Sequence, residues 1–326
     1  MAGARYLVTG SAGFIGSRVS SLLLANGHEV VGLDNLNAAY DVRLKNWRLK
    51  KLLPIPGFSF IHSDICEREN LESLLAKQPK LDAIINLAAR AGVRQSIDDP
   101  WVYFETNCTG TLNLLNHCVN KGIEKFVQAS TSSVYGDCAT QPFHENLPTD
   151  QPLSPYAASK KACEALCHSY HHLYGLDISV LRYFTVYGPA GRPDMSLFRF
   201  VRWINEGEPI RVFGDGSQSR DFTYIDDIAR GTIAALKKLG WSVINLGSDS
   251  PLELNQAIAL VELQVGRKAI IKYEPKHVCD VSRTWANISR AREVLKWEPK
   301  VPINEGIGKL TEWYHANSAW AQKLII

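Results

Sequence analysis

The chain has 326 residues, 45% hydrophobic and 21% charged, which is ordinary globular usage and length enough for a substantial core in one large or two smaller domains. Its 36 basic and 33 acidic residues leave a net charge of +3 and no long like-charge run, so there is no basic field for nucleic acid and any anionic partner must be met by a local site. The apolar run Tyr6-Leu7-Val8 is too short for a signal-peptide core and nothing approaches the roughly 20 apolar residues of a membrane span; with seven cysteines and no C-x-x-C pair, read as reduced packing residues, the expectation is a cytoplasmic protein.

Strands are expected at 5–8, 29–33, 58–62, 83–87, 125–129 and 178–182, separated by helix-length segments. That alternation predicts an α/β fold, a Rossmann-type doubly wound parallel sheet with helices on both faces. After about Tyr183 the rhythm loosens, with Gly/Pro-rich turns at 188–193 and 214–216. A smaller α/β domain interleaved with the first is therefore expected, with 1–182 and 215–262 in the first unit and 183–214 and 263–326 in the second.

The segment Thr9-Gly10-Ser11-Ala12-Gly13-Phe14-Ile15-Gly16 follows the first strand and opens a helix, so its glycines lie where backbone can approach a pyrophosphate at a helix N-terminus. Its spacing is G-x-x-G-x-x-G rather than G-x-G-x-x-G. Asp34 ends the second strand eighteen residues after Gly16, placed to bond adenosine ribose hydroxyls and to repel a 2′-phosphate, which favours NAD over NADP. Asp64, after the third strand, could meet the adenine edge or cap a helix.

Tyr156-Ala157-Ala158-Ser159-Lys160 puts a phenol and an ammonium four residues apart on one helical face. A phenol is a poor base near neutral pH unless a cation favours the phenolate. In the order T-G-x-x-G-x-x-G, Asn86-Leu87-Ala88-Ala89, Ser130-Thr131-Ser132-Ser133-Val134-Tyr135-Gly136 and Tyr156/Lys160, the chain resembles the extended short-chain dehydrogenase/reductase family over nearly its whole length. The resemblance implies that Tyr156 is the base, Lys160 the ribose anchor that favours its phenolate, and Thr131 the hydroxyl bonded to the reacting sugar oxygen. Asn107 falls where the family has a structural asparagine. The implied contacts of a tightly held NAD are Gly10, Gly13, Phe14, Ile15, Gly16, Asp34, Asn35, Asp64, Ile65, Leu87, Ala88 and Ala89, with Tyr156 and Lys160.

The segments Asp34-Asn35-Leu36-Asn37, Tyr40-Asp41, Ala91-Gly92-Val93-Arg94, Arg182–Pro189, Gly191-Arg192-Pro193-Asp194-Met195 and Arg220–Asp227 look like those of the UDP-glucuronate 4-epimerases. Dehydrating relatives carry an Asp-Glu pair, and decarboxylating ones a Glu, where this chain has Ser132-Ser133. The resemblance implies that these hydroxyls, Thr185 and the two-point grip of Arg192 clamp a sugar carboxylate, while Phe213 lies beside the uracil, Arg220 on the diphosphate and Asp280 on the nucleoside ribose. Arg90 stands where these epimerases have glutamine, and His277 and Cys279 replace glutamine and glycine before Asp280. The implied reaction is redox-neutral 4-epimerisation of UDP-glucuronate to UDP-galacturonate by a homodimer built from helices near 98–120 and 154–174. A UDP-glucose 4-epimerase, a decarboxylating enzyme and, more remotely, a non-catalytic nucleotide-binding protein are the alternatives. His168, His171 and His172 have helical spacing but no completing ligands, so no metal is expected.

Overall fold

The structure, a computed structural model, describes residues 3–276 and 280–325; His277 and Cys279 lie outside them. The six expected strands form as β1 (Arg5–Thr9), β2 (Glu29–Asp34), β3 (Phe58–His62), β4 (Ala83–Asn86), β5 (Lys125–Thr131) and β6 (Asp177–Tyr183). Six more follow: β7 (Thr185–Tyr187), β8 (Ile210–Phe213), β9 (Ser219–Tyr224), β10 (Trp241–Leu246), β11 (Pro251–Glu253) and β12 (Ile271–Glu274). A seven-stranded, wholly parallel sheet has the order β10-β6-β5-β4-β1-β2-β3.

Successive residues of a strand point to opposite faces, and here both faces are covered. Leu7, Ile84, Phe126 and Ile178 join Leu71 and Leu114 in one apolar cluster. Val8, Ile85, Val127 and Leu181, at positions of opposite parity on the same strands, join Val19, Leu23 and Ile228 in the other. Burial on two sides explains why these strands read as short continuous apolar runs. The strand order reverses between β1 and β4, and the crevice beyond their carboxyl ends is where an open α/β sheet takes a ligand.

The segment 215–262, expected in the first unit, divides between two sheets. Within 215–262, the helix Ile225–Ala234 packs on the helix Phe14–Ala25 and β10 completes the large sheet, as expected of the first unit. β9, however, pairs with β7 and β11 in a separate three-stranded sheet. The helix Leu254–Val265 packs on the helices Ser196–Glu206 and Ile303–Ala321, because its buried stripe of Ala257, Ile258 and Val261 meets theirs. Of that segment, 225–246 thus packs on or pairs with the large sheet and its helices, and β8 pairs with β12. Among the described residues no helix is long and apolar enough to cross a membrane.

Candidate active site

The turn after β1 is sterically dictated. Gly10 has φ +64°, and a Cβ on it would lie 2.8 Å from the Leu87 carbonyl oxygen. A Cβ on Gly13 or Gly16 would lie 2.8 or 2.0 Å from the Gly10 oxygen. Gly13 caps the helix Phe14–Ala25 with no side-chain cap bond, so Phe14, Ile15 and Gly16 offer first-turn amides to the crevice. The Thr9 hydroxyl accepts from the Leu87 and Ala88 amides, both at 3.1 Å, and donates to Asn86 at 2.7 Å, pinning the 87–89 loop against the glycine turn.

Asp34, at the end of β2, accepts from the Ala12 and Leu36 amides (3.1 and 2.8 Å) and faces Lys45 Nζ at 3.6 Å. Asn35 donates to Asp64 at 2.6 Å, and Asp64 also accepts from the Cys66 amide at 2.9 Å. Burial opposes ionisation of Asp64, but these two hydrogen bonds outweigh it and hold the carboxyl below its usual range. Asp64 stabilises a turn; the cap of the helix Arg68–Ala76 is Glu67. A glycine cradle that any Cβ would fill, a helix start above it and a carboxylate at the β2 end fit a dinucleotide.

Ser154 accepts from the Ala157 amide at 3.2 Å and Pro155 takes the first helical position, which starts the helix Pro155–Tyr174. Tyr156 and Lys160 follow on one face, and Lys160 Nζ donates to the Ala129 carbonyl at 2.9 Å. One turn on, buried Glu164 accepts from Ser130 (2.6 Å) and from Arg182 Nε and Nη2 (2.9 and 2.8 Å), a satisfied ion pair beneath the helix. Asn107 sits in a π-helical turn, Glu105–Thr109. It accepts from the Arg90 amide at 2.9 Å and donates to the Arg90 carbonyl and the Ser159 hydroxyl, bracing the 87–90 loop against the Tyr156 helix. The Thr131 hydroxyl accepts from the Ser133 amide at 3.2 Å, so Thr131, Ser132 and Ser133 form one hydroxyl-bearing turn at the end of β5.

One cavity of about 640 Å³ is lined by every residue expected to hold cofactor or substrate, including Ile65, Ala89, Thr185, Phe213, Arg220 and Asp280. Two details differ from expectation. The two-point grip of Arg192 is already taken: Nε and Nη2 donate to Asp194 at 3.0 and 2.6 Å, and Nη2 also to the Ala91 carbonyl. Burial opposes ionisation of Asp194, yet the guanidinium holds it below the usual carboxylate range. A neutralised pair therefore faces the cavity in place of a free cation. Asp280 is likewise held by Arg94, whose Nη2 donates to it at 2.5 Å while its guanidinium lies 4.1 Å over the Phe213 ring.

Sequence reasoning assigned no role to Tyr40, Lys45, Arg94, Asp194 or Arg199, all of which line the cavity. Tyr40, Arg94 and Asp194 lie within the motifs read from the sequence, and the missing signal is spatial. Among the described residues the buried Nε of Arg199 has no partner, and burial pulls its pKa down, as it does for Arg220. Among the metal-like histidines, His168 and His171 pack on Trp241, and His171 Nδ1 contacts the Leu176 carbonyl.

The model of the NAD dependent epimerase/dehydratase family matches residues 6–247. The chain belongs to that family. Within it, the chain is 56% identical over 313 residues to a UDP-glucuronate 4-epimerase of Thermodesulfobacterium geofontis, with 96% of each chain covered. The crystal structure of UDP-glucuronic acid 4-epimerase from Bacillus cereus, in complex with UDP-glucuronic acid and NAD, superposes with a TM-score of 0.91 at 38% identity, covering 96% of this chain and 99% of that one. UDP-glucose 4-epimerase from Thermotoga maritima, solved with UDP-glucose, gives 0.89 at 32% identity over the same shares of the two chains. In this family member the glycine cradle, the Tyr156/Lys160 pair and the hydroxyl turn line one cavity.

Proposed function

We propose that this chain is an NAD-dependent UDP-glucuronate 4-epimerase, forming UDP-galacturonate without net redox change. The observation that carries this reading is the turn Thr131-Ser132-Ser133, which faces the cavity with hydroxyls and no carboxylate beside the Tyr156 helix. Hydroxyls can bond a uronate, whereas a carboxylate there would repel it and would serve water elimination instead. NAD bound in the glycine cradle supplies the hydride acceptor and donor for C4. The chain's own residues handle the proton and the orientation. Tyr156 takes the O4 proton as the C4 hydride leaves and gives it back when the hydride returns to the other face of the 4-keto sugar; Lys160 fixes the ribose; Thr131 bonds O4. Ser132, Ser133, Thr185 and the remaining Nη1 edge of Arg192 contact the carboxylate, and Arg220, Phe213 and Asp280 the nucleotide.

The neutral Arg192–Asp194 pair favours a second reading, a UDP-glucose 4-epimerase, because a paired arginine does not demand an anionic sugar. NMR of the products from UDP-glucuronate and UDP-glucose decides between them. UDP-galacturonate as the faster product with no steady rise in NADH is expected; faster formation of UDP-galactose would overturn the first reading in favour of the second. We also infer a homodimer, from exposed Ile97, Trp101, Phe104, Leu173 and Tyr174 on and around the two helices named for it, and a cytoplasmic location, which the free thiols of the described cysteines suit.

A further inference from the structure

Arg48 lies on the helix Val42–Leu52, an element that none of the proposed substrate or cofactor contacts occupies, and is only 3% exposed. Among the described residues it has no carboxylate partner, and its donors are spent on four oxygens from three loops. Nε and Nη2 donate to the Ala190 carbonyl at 3.0 and 2.6 Å, and Nη2 also reaches the Gly191 carbonyl at 3.3 Å. Nη1 donates to the Ala12 carbonyl at 3.3 Å and to the Tyr40 hydroxyl at 2.7 Å. Ala12 belongs to the glycine turn; Ala190 and Gly191 immediately precede Arg192.

Two features give this bridge a purpose beyond packing. Ala190 has φ +54°, a left-handed backbone that a residue with a Cβ adopts only when its surroundings impose it. Ala190 is the third residue of a turn that the Gly191 amide closes on the Gly188 carbonyl at 3.2 Å, and the two hydrogen bonds from Arg48 hold the Ala190 carbonyl of that turn in place. Tyr40 in turn stands between two guanidinium groups, with Arg48 5.5 Å and Arg192 5.8 Å from its ring centroid. The direction in which Arg192 leaves its loop is thus set by Arg48 from behind, through the Ala190 carbonyl and through the Tyr40 ring.

We propose that Arg48 is a positioning residue that couples the two halves of the site, fixing the glycine turn through Ala12 and the Arg192 loop through Ala190 and Tyr40, so that cofactor retention and uronate recognition depend on one buried guanidinium. The proposal rests on the uronate reading for its substrate arm, while the cofactor arm stands without it.

The test uses purified full-length protein, with NAD released on denaturation as one readout and KM at saturating NAD as the other. Arg48→Met should lose most of its co-purified NAD and raise KM for UDP-glucuronate roughly tenfold, while inhibition by UDP stays as in wild type. Adding Ala190→Gly, which accepts φ +54° without strain, should recover the KM but not the NAD, because the Ala12 link stays broken. A purely structural role would lower the melting temperature without separating the two readouts. If the Met variant does not fold, Arg48→Lys keeps the charge but not the fork and should show both losses. Wild-type NAD content and KM in whichever variant folds, or no recovery of KM by Ala190→Gly, overturns the proposal. A wild-type enzyme inactive on UDP-glucuronate but retaining NAD would fail the uronate reading instead, and the NAD arm would still decide the bridge to Ala12.

Discussion

Asp194 grips Arg192 by two nitrogens, at 3.0 and 2.6 Å, two residues along the same loop. The pair, and not the arginine alone, is what a sugar carboxylate meets. Arg192→Ala therefore does more than remove a donor: it leaves a partly buried carboxylate facing an anionic substrate. Loss of a charge-assisted bond worth about 1.5–3 kcal/mol should raise KM for UDP-glucuronate roughly ten- to a hundredfold, with a smaller effect on UDP-glucose. The double variant Arg192→Ala/Asp194→Asn should regain part of the loss. Steady-state kinetics with both sugars checks this, and a double variant worse than the single one would contradict it.

The same pair sets an acid limit on stability. The folded Asp194 carboxyl titrates below its unfolded value, so its contribution is present above the ordinary carboxylate range and is lost as pH falls through the folded value. Thermal melts of wild type and Asp194→Asn should differ most at neutral pH and converge as the pH falls below the reference Asp value of about 3.9. A gap that widens on acidification would show that the pair is not the cause.

Tyr156→Phe should lower kcat by at least ~10²-fold, the range for a positioned acid/base group. Because Lys160 keeps its bond to the Ala129 carbonyl and the glycine cradle is untouched, NAD content should stay at the wild-type level. Nicotinamide assay after denaturation, beside turnover, separates a chemical role from a binding one. Near-normal turnover would remove Tyr156 from the proton path.

Trp101 is 83% exposed and Leu173 66%, an apolar display that the charge of +3 does little to offset. Sedimentation should find a dimer at micromolar concentration, and Trp101→Glu should yield monomer with its melting transition lowered. A wild-type monomer would contradict the proposed assembly.

Six strands were legible because a parallel sheet covered on both faces needs apolar residues without alternation, and turns on either side mark their ends. The glycine cradle and Tyr156/Lys160 were legible because their spacing is fixed by a single turn or a single helix. What could not be read was cross-chain pairing. Lys45 and Arg48 sit on a helix, Val42–Leu52, rich in lysine and arginine, where basic residues normally face water; both are buried because the Asp34 carboxylate and the 190–191 carbonyls come to them from elsewhere in the fold. The Asp194 grip on Arg192 was hidden for the same reason: the motif is visible in sequence, but the direction of the Asp194 side chain is not. The position of β9 outside the main sheet was hidden because a buried strand looks alike in either sheet.

β10 comes from residues 241–246 but closes the sheet beside β6, which ends at Tyr183. During synthesis on the ribosome the first six strands are complete some sixty residues before their neighbour emerges, a delay of several seconds at typical elongation rates of about 5–20 residues per second. Throughout that interval β6, buried along its whole length in the finished protein, presents an unpaired apolar edge. Truncations that stop near residue 184 freeze the chain at this point and should accumulate as aggregates, so a soluble nucleotide-binding fragment has to reach at least Leu246.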